Sequence, residues 1–390
     1  MEVTYRIDKN ILYVAVEGRI DASNAAAAEE KIFAVKSENA GKHTVIDAER
    51  LEYISSAGLR VILKLRKEEP TLAIINVAPD VYEVLDMTGF TEMVTVEKAY
   101  PHMSVEGCEF LAKGANGAVY RYDSETIIKL YFAKDALPEI KQERENARRA
   151  FVLGVNTAIP YGIVRVGENY GTVTELLNAT SVTKLISANP HDLSAAVGYF
   201  VDMLKSVHAV EVEDGEFPDM RETALNWARF VSEYLPKDQG ERLCELVEAV
   251  PKQNTLLHGD YHSNNVMVQN GEPLLIDLDT LCMGHPVFEL ASLYNAYMGF
   301  SEVNPLESFD FFGFSRDIGE KFWTMSMKAY LGTEDEATWT AVAEKAMVIG
   351  YTRMLRRALR RPDAEDSPKT IAWCKKRLGE LLDKVDSLTF

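Results

Sequence analysis

Between Leu256 and Asp279 the chain reads Leu256-Leu257-His258-Gly259-Asp260-Tyr261-His262-Ser263-Asn264-Asn265-Val266-Met267-Val268 and then Leu274-Leu275-Ile276-Asp277-Leu278-Asp279. Short apolar runs bounded by glycine and polar residues predict buried strands. The intervening loop sets Asp260 and Asn265 five residues apart, and Asp277 closes the next apolar run. A carboxylate that can accept a hydroxyl proton, an amide oxygen and a second carboxylate are the groups that Mg²⁺-assisted phosphoryl transfer uses. That chemistry depends on positioning and on neutralising phosphate charge.

The His258-Gly259-Asp260 run, with Asn265 five residues on and Ile276-Asp277 downstream, resembles the catalytic core of the aminoglycoside phosphotransferase and choline kinase-like superfamily, cousins of the protein kinases. The resemblance implies Asp260 as catalytic base, Asn265 as a Mg²⁺ ligand and Asp277 as the principal metal carboxylate. It implies that Glu289, in the run from Met283 to Ala291, buttresses the loop. Asp279 either reaches the metal or orients the loop. His258 is then structural, and His262 either contacts phosphate or supports the backbone.

Upstream, Phe110 to Arg121 reads as strand, glycine turn and strand, with Gly114 and Gly117 able to let a backbone approach a phosphate. Lys129 lies inside the apolar strand Thr126-Ile127-Ile128-Lys129-Leu130-Tyr131, where a lysine is costly unless paired or ligand-bound. The same resemblance implies that Lys129 holds the α- and β-phosphates of ATP and pairs with a glutamate of the helix predicted over Ile140 to Leu153. Glu145 is the expected partner and Glu143 the runner-up. Backbone groups of Glu175 to Leu177 are expected to meet the adenine edge.

In the first hundred residues, strands are predicted at Ile11 to Val16, His43 to Asp47 and Leu72 to Val77. Helices are predicted at Ser23 to Val35, Ala57 to Leu65 and Val81 to Met87. The run from Asp47 to Leu63, with Ile54-Ser55-Ser56-Ala57-Gly58-Leu59 at its centre, resembles the signature of STAS domains, the fold of anti-sigma-factor antagonists. By that resemblance Ser56 is the reversible phosphorylation site and the domain docks a protein partner. A helix N-terminus tolerates an added phosphate, because its N–H groups and dipole are positive there. Ser56 or Ser55 also suits a plain N-cap.

The expected architecture is an α/β STAS-like domain (1–98), a linker (99–107) and a bilobal α+β protein kinase-like fold. The latter divides into a nucleotide-binding lobe (108–178) and a mostly helical C-terminal lobe (179–390). Helices are predicted at Ser194–Val210, Glu222–Tyr234, Gly240–Val250, Arg316–Tyr330, Ala337–Leu359 and Pro368–Val385. His208 reads as a capping or packing histidine. Arg353, Arg356, Arg357, Arg360 and Arg361 read as a solvated helix face with scattered ion pairs.

A net charge of −18 over 390 residues argues against nucleic-acid or anionic-membrane binding and is compatible with a cationic substrate. No apolar run reaches membrane-spanning length, and four scattered cysteines read as reduced thiols, so a cytoplasmic location is expected. The expected function is ATP- and Mg²⁺-dependent transfer of a γ-phosphate to a small-molecule hydroxyl. The alternative is a signalling protein whose STAS-like domain binds a partner while the kinase-like domain phosphorylates Ser56 or that partner.

Overall fold

The computed structural model describes residues 1–114 and 116–390; Ala115, within the predicted glycine turn, lies outside the described residues. The chain forms two compact units, Met1–Ser104 and Val105–Phe390.

The first unit is an α/β sandwich. Its sheet runs Glu2–Asp8, Ile11–Ile20, His43–Asp47, Ala73–Val77 and Thr95–Lys98 in spatial order, with Leu51–Ile54 paired to the far end of the second strand. The first pair is antiparallel and the others are parallel, as helical crossovers require. Alternate residues Leu12, Val14 and Val16 point into the core, where Ile46, Ile74 and Val77 join them. Helix Ala25–Glu38 covers them with Ala28 and Ile32, and helix Ser56–Glu68 does so with Leu59, Ile62 and Leu65, at spacings of three and four residues.

Three strands of this unit were not predicted, Glu2–Asp8, Leu51–Ile54 and Thr95–Lys98. Glu2–Asp8 buries nothing fully and therefore lacks the period-two hydrophobic signal. Leu51–Ile54 buries only its two ends.

Helix Ser56–Glu68 begins at Ser55, whose hydroxyl accepts a hydrogen bond from the Ala57 N–H at 3.2 Å. Ser56 is the first helical residue and is exposed. Gly58 packs so tightly on the sheet that a Cβ there would lie 2.7 Å from Ile54 Cγ1 and 2.8 Å from Ile20 Cγ2.

The second unit opens with a five-stranded antiparallel sheet ordered Pro160–Val166, Asn169–Glu175, Thr126–Tyr131, Gly117–Arg121 and Glu109–Lys113. Helix Leu137–Val152 accompanies it. The rest is mainly helical around one core. The predicted helices appear as Ser194–His208, Met220–Ser232, Lys237–Glu248, Arg316–Leu331, Glu336–Leu359 and Ser367–Leu382. Among these helices lie two small sheets, Thr180–Ser181 with Val266–Gln269 and Glu272–Leu275, and Leu256–Leu257 with Cys282–Met283. Helix Val287–Tyr294 is buried along its whole length and runs on through a π-helical turn, Asn295–Gly299. No helix among the described residues is long and apolar enough to cross a membrane.

Gly58→Ala is expected to destabilise the first unit by roughly 1–3 kcal/mol through overpacking. Ser55→Ala should cost about 1 kcal/mol through the lost cap, whereas Ser56→Ala should cost little. Urea unfolding followed by circular dichroism checks the ranking, and a Ser56→Ala cost above that of Ser55→Ala would contradict it.

Candidate active site

Lys129 points from its strand toward the helix Leu137–Val152. Its Nζ donates to Glu143 Oε1 at 2.8 Å and lies 3.6 Å from Asp277 Oδ1. Tyr131 donates to the other oxygen of Glu143 at 2.5 Å. Burial works against the Lys129 charge, but Glu143 first, then Tyr131 and Asp277, outweigh it and raise the ammonium's pKa above its ordinary value. The Glu145 pairing expected from sequence is therefore corrected. Glu145 turns away from the sheet and pairs with Arg148 at 2.8 Å and Arg149 at 2.9 Å, which hold its pKa down at about 2. Two residues along a helix is about half a turn, so Glu143 and Glu145 cannot face the same strand.

One turn from Glu143, the buried Asn146 donates to the carbonyls of Leu278 and Asp279, both at 3.3 Å. This ties the helix to the loop that carries Asp277. Sequence reasoning passed over Asn146 because a single asparagine on a charged helix carries no pattern.

Asp277 lies two residues beyond the strand Glu272–Leu275, in a left-handed conformation at φ 62°. Such a backbone in a non-glycine residue stores strain, and strain of this kind gathers at functional sites. Asp279 stands close by. The surrounding protein and then Asp277 and Glu143 push its pKa up to about 6. Carboxylates are crowded here without enough positive charge among them.

The catalytic-loop candidates cluster at the same end of the hairpin, because Val266 pairs with Leu275 and the Ile276 N–H donates to the Asn265 carbonyl at 3.0 Å. Asn265 is buried, and its Nδ2 donates to the Asp260 carbonyl at 3.2 Å. Asp260 keeps half its side chain exposed, with Arg353 Nη2 3.7 Å from one carboxylate oxygen and His262 Nε2 3.6 Å from the other. Burial raises its pKa, but His262, then Arg353 and His258, outweigh that and bring it below the usual carboxylate value. His262 packs edge-on against Phe311, with ring centroids 5.2 Å apart.

Glu289 is fully buried and accepts from the backbone N–H groups of His258 at 2.5 Å and Gly259 at 3.1 Å. His208 Nε2 approaches Glu289 to 3.9 Å, while its Nδ1 is 2.8 Å from the Tyr330 hydroxyl. Gly259 has φ 82°, and a Cβ there would lie 2.4 Å from the Thr280 carbonyl oxygen. Only glycine fits this turn.

The remaining sequence candidates divide. A Cβ on Gly117 would sit 2.4 Å from the Leu130 carbonyl oxygen, so the sheet itself requires that glycine. Around Gly114 the nearest atom to such a Cβ is the Gly117 carbonyl oxygen at 3.9 Å, which leaves room for a ligand. Glu175 N–H donates to Ile159, and Leu176 N–H to Glu125. The Glu175 carboxylate accepts from the Ile159 N–H at 3.3 Å. Within Glu175 to Leu177, then, Leu177 carries the N–H that the chain does not itself use among the described residues.

Of the five arginines of helix Glu336–Leu359 and its C-terminal end, Arg357, Arg360 and Arg361 are exposed as expected of a solvated face, but only Arg353 has an ion pair among the described residues. Together with Asp260 and His262 the five line a cavity of about 710 Å³. Arg353 also donates to the Gly259 carbonyl at 3.3 Å and the Ser292 hydroxyl at 3.0 Å.

Glu143→Gln should destabilise the second unit by about 1–2 kcal/mol, because Lys129 and Tyr131 lose their shared anionic acceptor. Glu145→Gln, which releases two partly exposed arginines, should cost less than about 1 kcal/mol. Denaturant midpoints of the two variants beside wild type test this order, and equal losses would contradict it.

The STAS domain model matches residues 2–103. Over 100 residues, 25% of this chain and 85% of its relative, the first unit is 32% identical to BtrV of Bordetella bronchiseptica, named as an anti-sigma factor antagonist. Among solved structures, the chain is similar to a thermostable mutant of aminoglycoside phosphotransferase APH(4)-Ia, with 14% identity and a TM-score of 0.48 over 71% of this chain and 94% of that one. It is also similar to APH(2")-IIa in a ternary complex with streptomycin and ATP, with 15% identity and a TM-score of 0.49 over 70% and 93%. A phosphotransferase enzyme family model matches residues 107–316, more than half of the chain, and the chain belongs to that family.

Proposed function

We propose that the unit from Val105 to Phe390 transfers the γ-phosphoryl group of ATP to a hydroxyl of a small molecule. The observation that carries this reading is the convergence of Lys129, Glu143 and Asp277, drawn from a strand, a helix and a loop. Lys129 would hold the nucleotide phosphates, with Glu143 fixing its direction. Gly114 leaves space for a phosphate to approach, and the Leu177 N–H suits an adenine edge.

The donor set fits a hard divalent cation. Mg²⁺ takes one or two protein ligands and fills its octahedron with water and phosphate oxygen. Asn265 and Asp277 supply an amide oxygen and a carboxylate of that type, and the crowding that lifts Asp279 is what such a cation would relieve. Bound there, Mg²⁺ would neutralise charge on the phosphate oxygens.

Asp260, its pKa lowered by His262 and Arg353, stays ionised at neutral pH and can orient the acceptor hydroxyl and take its proton. Glu289 and Gly259 hold the loop that presents it. A cytoplasmic location belongs to the same reading, since no disulfide is formed among the described residues.

An ATP-consumption screen over hydroxyl-bearing metabolites, with wild type beside Asp260→Asn, tests the assignment. For any acceptor that wild type turns over, the variant should lose roughly 10²–10⁴-fold in kcat, with KM for ATP unchanged. Equal turnover by the two proteins would contradict it.

The exposed Ser56 at the start of a 13-residue helix favours a second role for the first unit. There a phosphate would meet free N–H groups and change the charge offered to a docking protein. Intact-protein mass spectrometry after incubation with ATP and Mg²⁺ should show one added phosphate that Ser56→Ala abolishes. A phosphate mapped elsewhere would contradict this role.

A further inference from the structure

The cavity beside Asp260 is lined by five arginines, Arg353, Arg356, Arg357, Arg360 and Arg361, against two carboxylates, Asp260 and Glu307. Positions 353, 356, 357, 360 and 361 recur every three or four residues and form one stripe at the end of a 24-residue helix. Cations at a helix C-terminus are favourable by themselves. That effect calls for one or two, and like charges three and four residues apart repel.

Arg353 is spoken for by Asp260, Gly259 and Ser292. Among the described residues none of Arg356, Arg357, Arg360 and Arg361 has an ion pair. Burial, then Arg360 and Arg353, lower the pKa of Arg356, so the stripe works against its own charge. Trp227 forms the wall beneath it, with Arg353 5.7 Å and Arg356 5.8 Å from the ring centroid. A smaller cavity of about 260 Å³ shares Arg357 and Arg361, but there Glu307 and Asp366 balance them, so the excess of positive charge is confined to the larger cavity. In a chain of net charge −18, this concentration of unpaired guanidinium is a local reversal of sign.

From this we infer that the acceptor is an anion, a small alcohol that already carries at least two negative charges as phosphate or carboxylate groups. Guanidinium forks bind both groups bidentately, and four of them without a carboxylate partner match more than a single charge. The volume suits a metabolite rather than a folded partner. The same surface repels polycationic acceptors such as aminoglycosides, so the compatibility with a cationic substrate suggested by net charge fails at the site itself. The inference rests on the phosphotransferase reading, because Asp260 on the cavity wall is what makes the occupant an acceptor.

Calorimetric titration of the full chain without Mg²⁺ tests it, using fructose 1,6-bisphosphate, citrate, sorbitol, kanamycin and ADP as probes. Fructose 1,6-bisphosphate or citrate should bind at least tenfold tighter than sorbitol or kanamycin, and the stronger of the two tells phosphate from carboxylate. Arg356→Gln/Arg360→Gln should weaken that anion at least tenfold and leave the Kd for ADP unchanged. Lys129→Gln should do the reverse.

Kanamycin or sorbitol binding as tightly as the anions, no anion binding, or anion binding lost only in Lys129→Gln would each overturn the inference. Asp260-dependent phosphorylation of a neutral or cationic alcohol would also overturn it while leaving the phosphotransferase reading intact. Failure to bind ADP would instead count against that reading.

Discussion

An ammonium half-enclosed by a β-sheet must find a counter-charge, and Lys129 finds two, in Glu143 and Asp277. Leaving such a charge unpaired costs several kcal/mol, so the pairing constrains everything attached to it. The helix Leu137–Val152 has to present Glu143 to the sheet. The loop after Leu275 has to bring Asp277 back toward the same point, and it takes a left-handed turn to do so. Asn146 then ties helix to loop through two carbonyls. Three elements distant in sequence are thereby held in one arrangement.

A second buried charge organises the neighbouring loop from His258 to Asn265. Glu289, fully enclosed, would be costly alone. It is satisfied by two backbone N–H groups of the loop and by His208 nearby. Burial raises its pKa, and His208, His258 and the backbone donors outweigh that and lower it. The carboxylate thus fixes the backbone at His258 and Gly259, and Asp260 follows directly. Arg353 closes the arrangement from the long helix by gripping the Gly259 carbonyl and facing the Asp260 carboxylate.

Much of this was legible in the sequence. Asp260, Asn265 and Asp277 stand at spacings that chemistry recognises, and Lys129 stands out because a lysine rarely interrupts an apolar strand. The choice between Glu143 and Glu145 was not legible. Both lie on one helix, and its rotation about its own axis is set by packing that includes Ile140 and Ala150. Gly117 looked like a phosphate-binding glycine, yet the Leu130 carbonyl across the strand pair demands it. The arginine stripe carried a clear periodicity but no direction. That this exposed stripe also borders a cavity depends on Trp227, Ser292 and Asp260, which meet it only in the folded chain. In the first unit, the strand Glu2–Asp8 escaped notice because its residues stay largely exposed.

The central claim is that these separately anchored groups form one nucleotide and metal site. Its most direct test is diffraction from crystals grown with a non-hydrolysable ATP analogue and Mn²⁺, with data collected to reveal the anomalous signal of manganese. The account predicts a manganese peak ligated by Asn265 and Asp277, with the analogue's phosphates in contact with Lys129 and its terminal phosphate directed toward Asp260. A nucleotide bound away from Lys129, or manganese held by other residues while Asn265 and Asp277 remain without it, would contradict the account.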